Sequence, residues 1–243
     1  MVGDWILIVF GNCTRIFNFA SGFSEDACTI INHGETTGPN QGKIAAQASL
    51  DDPSALMIAN ETPYKDEIGT FELTQLSHEF ELSRPKAIPS GSKTQISGLT
   101  FSQNGNNLVF ATDGGTMIRV FNLATNAMIH EFCRGRNPAV ISSLSASNAI
   151  ISCTSDHGTT HFFKAFGVGV TQSQLTESKT TANEEAKSSG NTKSFLSMVP
   201  LIGSRFNTEY AYTKINREAN ETAEVCIIRE DRAIIITLKG NYK

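Results

Sequence analysis

His130-Glu131-Phe132-Cys133-Arg134-Gly135-Arg136-Asn137-Pro138-Ala139 lies between two similar stretches, Met117-Ile118-Arg119-Val120-Phe121 and Thr160-His161-Phe162-Phe163-Lys164. Each flanking stretch follows an Asp-x-Gly-Thr turn, Asp113 to Thr116 and Asp156 to Thr159, and each turn follows an apolar run. The pattern recurs after about 43 residues, and a period of about 40–45 residues holding four short strands is the signature of a propeller blade. The quoted run falls where one such unit hands over to the next.

The rest of the chain fits that reading. Short runs rich in Val, Ile, Phe and Thr recur between Gly, Asn, Asp and Pro clusters, and no long stretch holds a helical period, so the class is all-β. With 243 residues, 40% of them hydrophobic, there is ample material for a core. A net charge of −4 argues against nucleic acid as a partner and against a polybasic membrane-coating surface, so any anion site must be local. The apolar run within Met1–Phe10 lacks the positive flank and cleavage site of a signal peptide and is far short of the roughly 20 residues that cross a bilayer. It reads as a buried strand. Cys13, Cys28, Cys133, Cys153 and Cys226 are scattered and show no C-x-x-C spacing, so neither a disulfide framework nor a metal site is expected, and a cytosolic address fits.

Strands are expected in successive units. The first is partial, with Trp5–Gly11, Thr14–Ala20 and Ala27–His33; the second has Ile44–Leu50, Ala55–Asn60, Ile68–Thr74 and Glu79–Ser83. The third has Ile96–Ser102, Leu108–Thr112, Met117–Leu123 and Ala127–Phe132. The fourth has Val140–Ala146, Ala149–Thr154 and Thr160–Ala165 and resumes at Glu209–Ile215; Val225–Arg229 and Ala233–Leu238 open a last fragment. Residues 167–194 are Ser, Thr, Asn, Glu, Lys and Gly with hardly any apolar side chain, and are expected to be a disordered polar loop.

The Phe132-Cys133-Arg134-Gly135 junction, with hydroxyl, Arg and His side chains at matching places in both units, resembles the hallmark Phe-Arg-Arg-Gly of the PROPPINs. These are the WD-repeat β-propellers of autophagy that bind phosphoinositides. The resemblance implies a partial propeller over residues 1–243, about four to five of seven blades, with the early blades and the closing strand absent. It also places 167–194 where the family carries a loop that dips into the membrane. Only Val168, Val170 and Leu175 could insert, so that role is expected to be weak, and the following Phe195–Gly203 is expected to pack under the blade.

The resemblance further implies two lipid pockets, one on each side of the junction, because successive residues of an extended segment point to opposite sides. A phosphorylated inositol wants an Arg for forked hydrogen bonds, hydroxyls for single oxygens and a further cation. One pocket looks complete: Arg134 with Ser155, Thr159 and His161, and Ser142 or Ser143 from the preceding inner strand. The other is degraded. Thr112, Thr116, Arg119 and Lys93 match, but Cys133 replaces the Arg that should supply the fork, and Arg136 would have to substitute from a different backbone position. Losing one charge-assisted fork should cost about 1.5–3 kcal/mol, roughly tenfold to a hundredfold in affinity at that pocket.

The implied function is a non-catalytic peripheral membrane effector in autophagy. Its ligands would be phosphatidylinositol 3-phosphate and 3,5-bisphosphate on preautophagosomal, endosomal or vacuolar and lysosomal membranes. Autophagy proteins would be partners, although their early-blade docking surface is missing; no cofactor, metal or nucleic acid is called for. The alternative is a WD-repeat interaction scaffold whose lipid sites have decayed. Cys133 as a nucleophile is disfavoured, since no oriented base can be argued from spacing.

Overall fold

The computed structural model describes residues 5–9, 13–18, 28–32, 44–48, 55–61, 70–77, 81–84, 86–89, 94–112, 114–165, 192–193, 209–216, 221–229 and 232–239. Their strands form five sheets. The first holds β1 (Trp5–Val9), β2 (Cys13–Asn18) and β3 (Cys28–Asn32). The second holds β4 (Ile44–Ala48), β5 (Leu56–Glu61), β6 (Thr70–Leu76) and β7 (Lys86–Pro89). The third is built on β8 (Ile96–Phe101), β9 (Asn107–Thr112), β10 (Met117–Asn122) and β11 (Ala127–Cys133). The fourth contains β12 (Ile141–Ala146), β13 (Ile150–Ser155) and β14 (Thr159–Lys164).

Beyond the 166–191 gap in the described residues come β15 (Thr192–Lys193), β16 (Glu209–Tyr210) and β17 (Thr213–Asn216), then a hairpin of β18 (Glu221–Arg229) and β19 (Arg232–Lys239). The two-residue β16 runs parallel to β11, pairing Phe132 with Glu209 and Cys133 with Tyr210, whereas β17 is antiparallel to β14. Glu209–Ile215 is therefore not one strand of the fourth unit. Its first two residues extend the third sheet and only Thr213–Asn216 completes the fourth. In the second sheet the outer strand is Lys86–Pro89; of the expected Glu79–Ser83, the described residues are 81–83, where Leu82 bridges Leu76. The polar loop expected at 167–194, except Thr192–Lys193, and the run Phe195–Gly203 lie outside the described residues, as do the side chains of β1.

First strands touch first strands: β4 contacts β8, β8 contacts β12 and β12 contacts β18. This is a propeller-like stack of small antiparallel sheets. Alternation along each strand feeds two cores at once. From the third sheet, Val109, Ala111, Ile118, Val120 and Phe132 face the fourth sheet's Ile151, Cys153 and Phe163. Leu108, Phe110 and Phe121 face the second sheet's Phe71 and Ile88. The Phe132 and Phe163 rings meet at 5.1 Å, and full burial of such a side chain contributes about 1.5–3 kcal/mol.

The third and fourth sheets repeat each other in detail. In both, the first strand bulges at one Ser, between Ile96 and Gly98 and between Ile141 and Ser143. In both, the turn before the third strand puts Gly at positive φ, +58° at Gly115 and +73° at Gly158. The two glycines differ in surroundings. A Cβ on Gly115 would stand 2.0 Å from the Ala139 carbonyl oxygen, whereas one on Gly158 would meet nothing within 4 Å. Gly158→Ala should cost about 1–2 kcal/mol, the strain of a left-handed alanine. Gly115→Ala should cost more than about 4 kcal/mol, because backbone must move as well. Urea denaturation of the two variants checks the ordering.

Candidate functional site

The β10–β11 pairing continues past the end of β11, where the Arg134 amide donates to the Thr116 carbonyl at 2.8 Å. Residues 130, 132 and 134 therefore share one side, and Phe132 packs on the fourth sheet, so Arg134 is aimed at the same seam. Its side chain is buried, 6% exposed. Nε donates to the Gly115 carbonyl oxygen and Nη2 to that of Asn137, which ties the Gly-Thr turn to the segment joining the two sheets. The guanidinium has five N–H donors, so three remain beyond these two bonds.

The fourth sheet presents its share of the site in two rows. One runs Ile141, Ser155, Thr159, Asn216 across neighbouring strands; the next runs Leu144, Cys153, His161, Lys214. Directly opposed residues lie on one face, and Cys153 and Phe163 place that face against the third sheet. Thr159 Oγ1 and His161 Nε2 share a hydrogen bond of 3.1 Å, and His161 lies along Phe163, ring centroids 6.4 Å apart. Burial holds the imidazole pKa down at about 4, reinforced by the Arg134 and Lys214 charges, so His161 is neutral near pH 7. Arg134 also opposes the rise that burial imposes on the Cys153 thiol, at about 12. Its field reaches the middle of the fourth sheet.

The expected residues are thus sorted. Arg134, Ser155, Thr159 and His161 share the seam, although Ser155 is fully buried while Thr159 and His161 are half-buried. Ser142 occupies the β12 bulge and is exposed. Ser143 is opposite Thr154, whose hydroxyl meets Thr160 Oγ1 at 3.1 Å, and so lies on the other face of the sheet.

The degraded set is less gathered. Arg119 is bound to Glu131 across the strands, Nε to Oε2 at 3.1 Å. Thr112 is buried, Thr116 is opposite Arg134, Arg136 is exposed, and Lys93 lies outside the described residues. Burial raises the Cys133 pKa against the opposing pull of Gly135, Arg134 and Arg136, so the thiol stays neutral near pH 7. His130 pairs with Val120 on the opposite face and stacks on Phe132 at 5.4 Å, so it is not a base for that thiol. Among the described residues no group of His, Cys, Asp and Glu could hold a metal ion.

Autophagy-related protein 18 of Candida glabrata is 34% identical over 162 residues, 64% of this chain and 32% of that protein. Autophagy-related protein 18 of Vanderwaltozyma polyspora is 38% identical over 88 residues, 35% of this chain and 16% of that protein. Kluyveromyces lactis Hsv2 superposes with a TM-score of 0.60 at 14% identity, over 98% of this chain and 62% of that structure. The chain is homologous to the PROPPINs. No family model matches it. The matched stretches span a third or less of these curated PROPPINs, 32% and 16%, and the Hsv2 likeness establishes the fold.

Four participants fall outside the sequence-derived set: the Gly115 and Asn137 carbonyls that hold Arg134, the Glu131 carboxylate that holds Arg119, and Lys214 opposite His161. Glu131 could have been found by pairing the hairpin strands. Lys214 could not, since its register is set only after a long insertion.

The imidazole makes a direct check. Its pKa falls from 6.5 in the unfolded chain to about 4 in the fold, so the unfolded chain binds the extra proton between those values. The stability that His161 contributes is full above about pH 6.5 and is lost as the pH falls towards 4. His161→Gln should flatten the pH dependence of urea stability in that window, and the His161 ring signals in NMR should titrate near 4.

Proposed function

We propose that this chain is a non-catalytic phosphoinositide-binding effector of autophagy, reading phosphatidylinositol 3-phosphate and 3,5-bisphosphate at the seam between its third and fourth sheets. The observation that carries the reading is the convergence there of Arg134, Thr159 and His161 in a chain homologous to the PROPPINs. Arg134 supplies the charge, and because two backbone carbonyls already fix its guanidinium, little rotamer entropy is lost when an anion binds. Thr159 and the neutral His161 supply directional hydrogen bonds. A phosphate dianion would raise the imidazole pKa, so binding strengthens on mild acidification.

The sheets correspond in this reading to four to five blades of a seven-bladed ring, located in the cytoplasm and peripherally on preautophagosomal, endosomal or vacuolar membranes. Residues 167–194 would form the polar loop beside the membrane, and partners would be other autophagy proteins. The second pocket contributes little, because Arg119 is engaged by Glu131 and Cys133 carries no charge. Those same two facts favour the competing reading, an interaction scaffold without lipid affinity.

Liposome flotation decides between them. Arg134→Ala would also remove the ties to Gly115 and Asn137, so Thr159→Ala and His161→Ala, which leave those ties in place, are the better lesions. Each should weaken binding to phosphatidylinositol 3-phosphate vesicles by about fivefold to tenfold. Unchanged flotation in both, or flotation indifferent to the lipid, would instead establish the scaffold. Cys133→Arg should strengthen membrane retention, since two engaged pockets on one body act by avidity; no gain in a matched flotation series would count against a second pocket.

A further inference from the structure

The strand that returns after the insertion, β17, brings Lys214 opposite His161 and Asn216 opposite Thr159. Cross-strand partners share a face and stand about 5 Å apart at Cβ, so both belong to the face that carries the proposed site. Both are exposed. Among the described residues no ion pair engages Lys214; the nearby Lys164 turns instead to the Tyr212 ring, 5.2 Å from its centroid.

Row order fixes how the two cations are disposed. Cys153, His161 and Lys214 follow one another on β13, β14 and β17, with strands about 4.8 Å apart. The Arg134 charge reaches Cys153 and His161, while that of Lys214 reaches His161 from the outer side. Two cations of different chemistry therefore flank one hydroxyl–imidazole pair. A single phosphate needs only the Arg134 side. Two phosphates on non-adjacent carbons of one ring would use both.

We infer that Lys214 is a specificity-determining residue that engages the second phosphate of a bisphosphorylated inositol ring, with Asn216 as its neutral hydrogen-bonding neighbour. The inference rests on the seam being a phosphoinositide site, as proposed above. Lys suits this place because a flexible ammonium on an exposed strand follows a phosphate whose position varies with ring tilt, whereas the fixed fork of Arg134 sets the ring's orientation.

Flotation of the full chain tests this with phosphatidylcholine vesicles carrying phosphatidylinositol 3-phosphate, phosphatidylinositol 3,5-bisphosphate, or phosphatidylserine at matched charge. Lys214→Ala and Lys214→Gln should weaken binding to the bisphosphate about tenfold and to the monophosphate less than about threefold, leaving thermal unfolding unchanged. Equal losses on the two phosphoinositides, no loss on either, or the same loss on phosphatidylserine would overturn it. His161→Ala keeps the two claims apart. If it weakens binding to both phosphoinositides while Lys214→Ala leaves their ratio intact, the site stands and the role of Lys214 falls. If His161→Ala changes nothing, the site itself falls.

Discussion

A buried guanidinium joins the third and fourth sheets of this protein. Arg134 donates to the carbonyls of Gly115 and Asn137 from a side chain only 6% exposed. Burying a charge is costly unless its donors are matched. Here the carbonyls of a tight turn and of the connecting segment match part of them, and the turn's Gly115 stands against Ala139 of that segment with no room for a Cβ. The turn, the junction and the arginine thus depend on one another. The remaining donors and the positive charge stay at the seam, beside Thr159 and His161.

That arrangement explains the local electrostatics. His161 is pushed towards neutrality by burial and by two cations, and Cys133 and Cys153 are held as thiols by burial despite the nearby arginine. The result is a small positive region in a chain whose net charge is −4. Such a site favours an anion approaching the seam without making the whole surface adhesive to acidic membranes.

The strands and turns were legible because they rest on local rules: alternation, Gly at positive φ, and a repeat that places the same residues 43 apart at Gly115 and Gly158. The same alternation applies at the junction, where Phe132 packs on Phe163. What could not be read depended on pairing between distant segments. The parallel docking of Glu209–Tyr210 on β11 and the placement of Lys214 opposite His161 are set by register across an insertion. The sequence leaves Ser142 or Ser143 open for the site, because the bulge at Ser142, which puts Ser143 on the Thr154 face, has no marker in the sequence. The role of Arg134 as a tie between backbone carbonyls is not legible in the sequence, since acceptors of that kind carry no sequence signal.

The most direct measurement is NMR of the His161 ring during titration with a soluble short-chain phosphatidylinositol 3-phosphate. The seam account predicts saturable shifts at His161 and a pKa that climbs from about 4 as the lipid binds. Saturable binding that leaves the His161 ring and its pKa unmoved would contradict it.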